Sequence, residues 1–482
     1  RDNMYEKLTN LFLNNRNNVN HGIRYKQSEV SYPELITKAK LLANKIKEVQ
    51  TTGLVTMVMG NSTEYVVAYL GILISGNAVM SINYYQLIRH IKTVCKMPGD
   101  LLITDKTNFE KIKAVLNSSG KYATIFIMDD TGVEVVNNAA FRQYPRSPVH
   151  ADAALLLMTT GTTGTEKFVQ ISEDSILSNI EVISRCDFSQ NLESEVIVLP
   201  MNSSFIQICS MLESIRLGCS IIIHDGDYRF ESIARHFSPN SKQLLCITPS
   251  LLYMILSQIH REDTMGYFSE NTILVLGGEE CSAQKIHMFK QKTSARLIIG
   301  YGLTEASALV SCMNMNDINS HPSSVGRYSD NVQIRILPIE NLTDYGEILL
   351  RGETIALKYY PEEIVTDDEG WLRTGDLGYI DKDGYLYVKG RIKRIIISSG
   401  RNISASLVES ALQSIDGVAR ARVYAVQSDG AGERVAAKIL VDKSSEISVS
   451  IVLRYLRSTL EPHEIPSQII VCDSEEEYGY KF

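Results

Sequence analysis

The chain has 482 residues, of which 44% are hydrophobic and 22% are charged, and its formal net charge at pH 7 is −8. This length exceeds what one hydrophobic core usually holds, so we expect two or three domains or subdomains. The small negative charge, the 8% of aromatic residues and the single tryptophan argue against a nucleic-acid-binding surface, which needs basic patches and stacking side chains.

The eight cysteines are scattered along the sequence without a Cys-x-x-Cys pair, and most lie in apolar runs. This pattern predicts reduced, buried thiols in a cytoplasmic protein, rather than disulfides or a cysteine metal site. No apolar run approaches the roughly 20 residues of a membrane-spanning helix. The polar N-terminal residues give no indication of a signal peptide.

The first part of the chain predicts alternating helices and strands. Residues 1–50 are mostly helical in pattern, with a short strand near Gly22–Val30, and Ser31 caps a helix that begins at Tyr32. Apolar runs predict further strands at Leu54–Gly60, Val79–Ile82, Leu101–Asp105 and Ala123–Met128, and an apolar helix at Glu64–Ser75. This alternation is typical of an α/β fold with a parallel sheet wrapped by helices.

The alternation continues after a polar connector at Gln143–Asp152. Predicted helices are Glu173–Cys186, Phe205–Leu217 and Phe230–Phe237, and predicted strands are Val196–Leu199, Ser220–His224, Gln243–Ile247, Thr272–Leu276 and Arg296–Ile299. From about Ser323, short alternating strands predict a small antiparallel β subdomain. The mixed α+β unit after Arg391 holds about 90 residues, enough for a domain of its own. We therefore predict two domains, residues 1–392 and 393–482.

A loop of glycines and hydroxyl residues follows the buried strand Leu155–Met158. Its members are Thr159, Thr160, Gly161, Thr162, Thr163 and Gly164, and Lys167 closes it. Glycines let backbone amides turn toward an anion, while threonines add hydroxyl donors and the lysine adds a positive charge. The loop therefore predicts a polyphosphate site, although a surface turn rich in Gly and Thr has the same composition.

Another candidate site follows the strand Arg296–Ile299, in the stretch Gly300-Tyr301-Gly302-Leu303-Thr304-Glu305. Open α/β sheets bind ligands at the carboxyl ends of their strands. Tyr301 can lay its ring against a base, Thr304 can donate to a phosphate, and Glu305 can hold a magnesium ion that bridges phosphates. A plain strand-to-helix turn would explain the same residues without a ligand.

Three further turns are candidates, and two of them carry polar residues suited to a nucleotide. Asp376, in Arg373-Thr374-Gly375-Asp376, can accept hydrogen bonds from both ribose hydroxyls, although aspartate beside glycine is also a common turn residue. Arg391, in Gly390-Arg391-Ile392-Lys393, would add a cation near ribose or phosphate. The third turn, Gly277-Gly278-Glu279, is a weak signal when taken alone.

Together these motifs resemble those of the adenylate-forming superfamily, which includes acyl-CoA synthetases, luciferase-like enzymes and stand-alone adenylation domains. The superfamily's phosphate loop usually reads Ser/Thr-Gly-Thr-Thr-Gly-x-Pro-Lys-Gly, and this chain keeps the lysine but has Glu166 and Phe168 in place of proline and the last glycine. The matches occur in the family's order over residues 155–409. The resemblance implies a large adenylation domain and a small mobile domain that rotates about Lys393.

The resemblance also implies roles for residues that composition alone would not single out. Gly278 and Glu279 correspond to a loop that closes over adenine and substrate, while Gly400 and Arg401 resemble the loop that lines the acceptor-thiol tunnel. In the substrate region the superfamily often has Pro-x-x-His, whereas this chain has Asn202 and Ser203, the serine at the His position, followed by Phe205. Because Phe205 falls where amino-acid-activating domains carry an aspartate, an α-amino acid substrate is disfavoured.

The C-terminus departs from the family pattern. The superfamily ends in Pro-x-x-x-x-Gly-Lys, whose lysine reaches the carboxylate and the α-phosphate during adenylation. This chain ends in Tyr478-Gly479-Tyr480-Lys481-Phe482, without the proline. Lys481 is therefore either that lysine or a solvated terminal residue.

The implied reaction has two steps. A carboxylate attacks the α-phosphate of ATP, with Mg²⁺ as the metal, and the acyl adenylate then passes its acyl group to CoA or to the phosphopantetheine of a carrier protein. The first step needs positioning and charge neutralisation rather than a general base. The alternatives are a stand-alone adenylation domain that loads a carrier protein, a catalytically weak nucleotide-binding scaffold, and a luciferase-type oxygenase.

Overall fold

The protein is described by a computed structural model that covers residues 4–49, 53–159, 167–186, 188, 191–257, 267–279, 281, 283–314, 316–339, 345–361, 365–398, 401–428, 432–442 and 445–478.

The first part of the chain alternates helices and strands, as its sequence predicts. Helices α1 to α5 span Glu6–Leu13, Tyr32–Val49, Thr63–Ile74, Tyr84–Val94 and Lys106–Ser119. Strands β1 to β8 span Gly22–Tyr25, Ser28–Ser31, Gly53–Val58, Asn77–Ser81, Leu101–Asp105, Thr124–Asp129, Gly132–Asn137 and Ala153–Thr159. Ser31 starts α2 as expected: its backbone N–H and its hydroxyl both donate to the Glu34 carboxylate, at 2.9 and 2.7 Å.

The middle of the chain continues this alternation with shorter helices. Strands β9 to β16 span Lys167–Ser172, Ser194–Ile197, Ser220–Ile223, Gln243–Ile247, Thr272–Leu276, Arg296–Gly302, Leu309–Cys312 and Arg327–Tyr328. Helices α6 to α10 span Glu173–Ser184, Glu213–Leu217, Phe230–Ala234, Pro249–Ser257 and Ala283–Lys292. The predicted helix Phe205–Leu217 begins as a π-helix over Phe205–Leu212 and becomes α-helical only in α7. A 3-10 turn occupies Thr304–Ala306.

The last part of the chain is rich in antiparallel strands. Strands β17 to β26 span Val332–Pro338, Gly346–Gly352, Lys358–Tyr360, Leu372–Ile380, Leu386–Arg391, Ile395–Ser398, Arg401–Ser404, Val418–Ser428, Gly432–Val441 and Gln468–Cys472. Helices α11 to α13 span Ala405–Gln413, Val449–Thr459 and Glu475–Tyr478, and a 3-10 turn at Ile392–Arg394 joins β21 to β22.

Two large sheets form the main body. One has nine strands in the order β16-β15-β14-β13-β12-β10-β11-β1-β2, and the other has eight in the order β19-β9-β8-β4-β3-β5-β6-β7. Their central neighbours are parallel, and antiparallel pairs occur only toward the edges. One continuous core contains Leu155 from the second sheet and Ile221 from the first, both fully buried. This arrangement confirms the predicted parallel sheets wrapped by helices.

Two smaller sheets follow. The four strands β17-β18-β20-β21 are antiparallel, which confirms the predicted β subdomain. The last sheet has the order β23-β22-β25-β24 with β26 added beside β25, and helices α11 and α12 pack on it. Its core draws only on residues from Ile396 to Leu456.

The structure corrects the expectation that all cysteines are reduced. Cys186, just past the end of α6, and Cys312, at the end of β15, form a disulfide whose Cα atoms are 6.7 Å apart. The six other cysteines are buried and form no disulfide among the described residues. The two partners lie 126 residues apart in sequence, so no local spacing could have indicated the pair.

Within the described residues, no helix has both the length and the apolar character that a membrane crossing requires.

Candidate functional site

The carboxyl ends of β13 and β14 bring two of the predicted motifs to the same sheet edge. These strands are parallel neighbours, with Leu276 opposite Ile299, so Gly277-Gly278 and Gly300–Glu305 emerge side by side. Such an edge is where open α/β sheets bind ligands. Gly302 also needs its small size, because a Cβ there would lie 1.7 Å from the carbonyl oxygen of Ala308 on the returning chain.

Asp376, Tyr301 and Arg391 form one cluster at this edge, joined by a hydrogen bond and an ion pair. The Tyr301 hydroxyl donates to Asp376 Oδ2 at 2.6 Å, and Arg391 Nε lies 2.9 Å from Asp376 Oδ1. Arg391 stands directly opposite Asp376 in the β20–β21 pair, which explains their ion pair. The structure therefore brings together three residues that the sequence singled out in separate turns.

Burial controls the electrostatics of this cluster. The Asp376 residue is only 4% exposed, and loss of solvation raises its pKa, with Arg391 and the Tyr301 hydrogen bond opposing that rise. The charge of Glu305 adds to the rise in the pKa of Asp376. Burial also raises the pKa of Tyr301 well above its usual value, so Tyr301 acts as a hydrogen-bond donor.

Asp376 keeps acceptor capacity although both of its oxygens are engaged. Each carboxylate oxygen can accept about two hydrogen bonds. Oδ1 is in an ion pair with Arg391, and Oδ2 accepts one hydrogen bond from Tyr301. With no other side-chain partner among the described residues, each oxygen keeps room for a further hydrogen bond, in a carboxylate whose orientation is fixed by two neighbours.

Glu305 is held beside this cluster by a residue that the sequence did not reveal. It is 3% exposed, and its Oε1 accepts a hydrogen bond of 2.9 Å from the Tyr359 hydroxyl. Among the residues that the structure describes, Oε2 of Glu305 has no hydrogen-bond partner. Thr304, the preceding residue, places its Oγ1 3.1 Å from the hydroxyl of Ser204.

Tyr359 also connects Glu305 to Lys167. The Lys167 ammonium lies 4.7 Å from the centre of the Tyr359 ring, a cation–π contact. Strand β19 carries Tyr359 and pairs with β9, which begins at Lys167. The sequence around Tyr359 is a short aromatic run before a proline, which gives no signal of this role.

The predicted phosphate loop connects two paired strands. Thr159 at the end of β8 lies opposite Lys167 at the start of β9, so the two ends of the loop are antiparallel neighbours. The other predicted loop residues, Thr160, Gly161, Thr162, Thr163 and Gly164, lie outside the described residues.

The predicted substrate residues lie around the π-helix. Asn202 donates to Gln86 Oε1 at 3.3 Å, and Ser203 caps the helix start by accepting the backbone N–H of Ile206 at 3.3 Å. The Phe205 ring approaches Gly277: a Cβ on that glycine would lie 3.1 Å from the nearest ring carbon. The structure thus joins the predicted substrate region to the Gly-Gly turn.

Gly278 and Glu279 occupy the turn that follows β13. Gly278 has a φ of +80°, a conformation that favours glycine. Glu279 accepts the backbone N–H of Ser250 at 3.0 Å, so its carboxylate satisfies a donor at the first turn of α9.

A buried acid that the sequence analysis missed supports the π-helix. Glu195 on β10 is fully buried, and its two carboxylate oxygens accept the hydroxyls of Ser210 and Ser214. Burial raises its pKa to about 7, although these hydrogen bonds and one from Cys246 work against that rise. Glutamate in a strand of otherwise apolar pattern is the only sequence signal of this site.

Comparison with known proteins identifies the family. The sequence model described as AMP-binding enzyme matches residues 14–360 of this chain. The chain belongs to the AMP-binding enzyme family. The chain is 28% identical over 337 residues to a long-chain-fatty-acid–CoA ligase of Bacillus subtilis, an alignment that covers 67% of the chain but 59% of the ligase. It is 26% identical over 380 residues to 4-coumarate–CoA ligase-like 8 of Arabidopsis thaliana, covering 74% and 68%.

Solved structures show the same fold over nearly the whole AMP-binding enzyme. The ATP-bound MatB protein of Rhodopseudomonas palustris has a TM-score of 0.80 at 22% identity, covering 97% of this chain and 95% of that one. The o-succinylbenzoate CoA synthetase MenE of Bacillus subtilis, solved with ATP and a magnesium ion, has a TM-score of 0.77 at 22% identity, covering 96% of both chains. These likenesses confirm the predicted fold class.

The remaining predicted residues of this AMP-binding enzyme lie between and within the last two sheets. Lys393 is in the 3-10 turn Ile392–Arg394 that joins β21 to β22. Arg401 begins β23. Gly400 and Lys481 lie outside the described residues, as do the side chains of Lys393 and Arg401.

Proposed function

We propose that this chain catalyses the ATP-dependent, AMP-forming activation of a carboxylic acid and then transfers the acyl group to a thiol. The observation that carries the proposal is the cluster of Asp376, Tyr301 and Arg391 beside a buried acid. That acid is Glu305, which Tyr359 links to Lys167. A carboxylate with two open acceptor positions beside a buried acid and a lysine suits a nucleoside triphosphate. The names of the CoA ligase relatives support the same reaction class.

In this proposal Asp376 accepts the two ribose hydroxyls through its remaining acceptor positions. Arg391 and Tyr301 orient the carboxylate, and both interactions favour its charged form, opposing the rise in its pKa that burial causes. The Tyr301 ring lies against the base, between the glycines that precede and follow it.

The phosphates are assigned to the loop from Thr159 to Lys167. Lys167 would contact them from the start of β9, where Tyr359 supports its side chain. The buried Glu305 fits Mg²⁺ through its Oε2, which has no hydrogen-bond partner among the described residues, since Mg²⁺ is usually held by one or two carboxylates together with phosphate oxygens. When bound, the ion would neutralise charge that develops on the phosphates.

The chemistry balances without a general base. A carboxylate oxygen of the acid forms a bond to the α-phosphorus, and the bond from that phosphorus to the β-phosphate oxygen breaks, releasing pyrophosphate. In the second step the thiolate of the acceptor attacks the acyl carbonyl and AMP leaves. The chain's contribution is to hold the reactants in line and to neutralise charge.

We also propose a division into residues 1–392 and 393–482, with Lys393 as the hinge. The separate core of the last sheet, which uses only residues from Ile396 to Leu456, supports this boundary. Few residues absorb the dihedral changes of a hinge, and the short turn Ile392–Arg394 is such a connection. Lys481 would reach the α-phosphate in one pose, and Gly400 and Arg401 would line the acceptor path in the other.

CoA is the acceptor that we favour, because the named relatives are CoA ligases; a carrier protein is the alternative. We propose a cytoplasmic location on the basis of the six buried cysteines outside the disulfide, while the Cys186–Cys312 bond is the feature that argues against it.

The test is ATP–pyrophosphate exchange with a panel of carboxylic acids, followed by thioester formation with CoA or with a phosphopantetheinylated carrier protein. Lys167→Ala should depress exchange strongly, because Lys167 contacts the Tyr359 ring at the site. Lys358→Ala should not, because Lys358 is next to Tyr359 on β19 and adjacent strand residues face opposite sides of the sheet. Lys481→Ala should depress exchange while sparing thioester formation from supplied acyl adenylate. Nucleotide binding without exchange for any acid would favour the scaffold alternative and refute the proposal.

A further inference from the structure

A cluster of metal-ligating side chains lies outside the nucleotide site. His321, Asp381 and Asp383 each direct one ligand atom to a common point, and these three atoms all lie within 4.8 Å of one another. His321 comes from the connection between β15 and β16, whereas the two aspartates form the turn between β20 and β21. The cluster therefore joins two segments that are distant in sequence.

The distances within the cluster are too long for hydrogen bonds. His321 Nε2 is 3.9 Å from Asp381 Oδ2 and 3.8 Å from Asp383 Oδ2, beyond the roughly 3.2 Å limit of an N–H···O bond. Zinc binds His nitrogen at about 2.0–2.1 Å and carboxylate oxygen at about 2.0–2.2 Å, so two ligands of a tetrahedral ion lie about 3.4 Å apart. A closing movement of about half an ångström would bring His321 Nε2 to that spacing from each of the two aspartate oxygens.

Neighbouring residues fix the orientation of His321. Its Nδ1 lies 3.1 Å from the hydroxyl of Ser320, which leaves Nε2 directed at the carboxylates. Its ring stacks on Tyr385 with the centres 3.6 Å apart and the planes at 13°. Supporting contacts of this kind set the tautomer and direction of metal-binding histidines.

The aspartates are oriented as well. Asp381 Oδ1 accepts the backbone N–H groups of Asp383 and Tyr385, each at 2.9 Å, so Oδ2 is the oxygen directed at His321. The nearby Arg327 guanidinium donates to the backbone carbonyl of Asp383, at 2.9 Å. Within the described part of the chain, neither aspartate side chain forms an ion pair with a lysine or arginine. The two carboxylates of Asp381 and Asp383 thus face one imidazole, that of His321, and this combination of ligands attracts a cation.

We propose that His321, Asp381 and Asp383 bind a divalent transition-metal ion, with Zn²⁺ as the best fit. One nitrogen and two oxygen ligands suit Zn²⁺ and leave a position for water, whereas Mg²⁺ prefers oxygen ligands alone. The side chains are 18%, 21% and 52% exposed, so an ion can enter from solvent. The bound ion would tie the connection that carries His321 to the hairpin whose strands carry Asp376 and Arg391.

The experiment is calorimetric titration of the full-length protein with ZnCl₂ in a buffer without ATP or magnesium. We expect one saturable site per chain, and an affinity that falls at least about tenfold in both His321→Ala and Asp383→Asn. Asp383→Asn keeps the turn and guards against misfolding of the histidine variant. The matched control is His150→Ala, because His150 also faces an aspartate, with Nδ1 3.7 Å from Asp152 Oδ2, but has only one.

A second readout separates this site from binding to cysteines. With Co²⁺ as the probe, the visible spectrum should show nitrogen and oxygen ligation without thiolate charge-transfer bands, and it should disappear in His321→Ala. The proposal is overturned if the wild-type protein shows no saturable Zn²⁺ binding, if both variants bind like the wild type, or if the Co²⁺ spectrum is that of a thiolate site.

Discussion

Replacing Glu195 with glutamine should make the protein more resistant to unfolding at alkaline pH. The glutamate is fully buried beneath the π-helix, and burial raises its pKa from 4.5 to about 7. A folded-state pKa above the unfolded one means that the stabilising contribution of the neutral acid is complete below pH 4.5 and is lost as the pH rises through about 7. Glu195→Gln removes this loss because the amide does not ionise.

The magnitude follows from the two pKa values. The rise in the pKa of Glu195 from 4.5 to about 7 corresponds to a loss of about 3 kcal/mol of folding stability once the acid is fully ionised. Part of this is already lost at pH 5, so between about pH 5 and pH 8 the wild type should lose about 2.5 kcal/mol more stability than Glu195→Gln. The amide oxygen of the glutamine can accept one of the two serine hydroxyls and its NH2 group can donate to the oxygen of the other, so the variant should fold.

The assay is urea denaturation of both proteins at the two pH values. The quantity to compare is the change in unfolding free energy between the two pH values, taken for the wild type and for Glu195→Gln. The effects of all other titrating groups are common to both proteins and cancel in that comparison. Glu134→Gln is the matched control, since Glu134 is an exposed strand residue. An unfolding midpoint with the same pH dependence in the wild type and in Glu195→Gln would show that this carboxylate is not held neutral by burial.

Two further predictions concern the nucleotide cluster and the disulfide. Asp376→Ala should lower ATP affinity by at least about 3 kcal/mol, roughly a hundredfold, because it removes two hydrogen bonds to an ionised group; calorimetry showing near-normal affinity would contradict the ribose assignment. Cys312→Ser should lower the thermal unfolding midpoint under oxidising conditions, since a disulfide closing 126 residues contributes up to about 5 kcal/mol. A reducing agent should abolish that difference, and an equal deficit in reduced protein would show that packing rather than the bond is responsible.

The strands were the most predictable part of the fold. Leu101–Asp105, Gln243–Ile247 and Thr272–Leu276 have the bounds that their apolar runs predict, because a fully buried parallel strand is apolar on both faces. Which strands pair with each other was harder to predict from the sequence. Strand β19 has three residues and pairs with β9, nearly 190 residues earlier, and such long-range pairing leaves no trace in local periodicity.

The candidate site was predictable as a set of turns but not as a set of contacts. Motif spacing placed Tyr301, Asp376 and Arg391 in turns. The Asp376–Arg391 ion pair depends on strand register, and the Tyr301–Asp376 hydrogen bond depends on how two sheets meet. Tyr359 was missed because one aromatic residue in a short strand resembles any core residue. The π-helix was missed for a similar reason: its apolar sequence fits an α-helix equally well. The buried Glu195 that accepts its Ser210 hydroxyl lies on the preceding strand, where nothing in the sequence marks that contact.

The approach of Phe205 to Gly277 gives the sharpest test of the substrate pocket. A Cβ at residue 277 would lie 3.1 and 3.2 Å from two ring carbons of Phe205, so Gly277→Ala forces the ring to move. Overpacking of this kind costs about 1 to 3 kcal/mol. If this ring borders the carboxylic acid, the KM for the acid in pyrophosphate exchange should rise while the KM for ATP changes little.

A second substitution decides whether the ring is responsible. Adding Phe205→Ala to Gly277→Ala removes the clash, so the double variant should be less impaired than the sum of the two single effects predicts. Gly60→Ala is the control, because a Cβ there would meet its nearest neighbour at 3.8 Å. Strictly additive effects, or equal rises in KM for both substrates, would show that Phe205 and Gly277 do not act together on the acid, and the substrate pocket would then have to be sought on another side of the Gly-Gly turn.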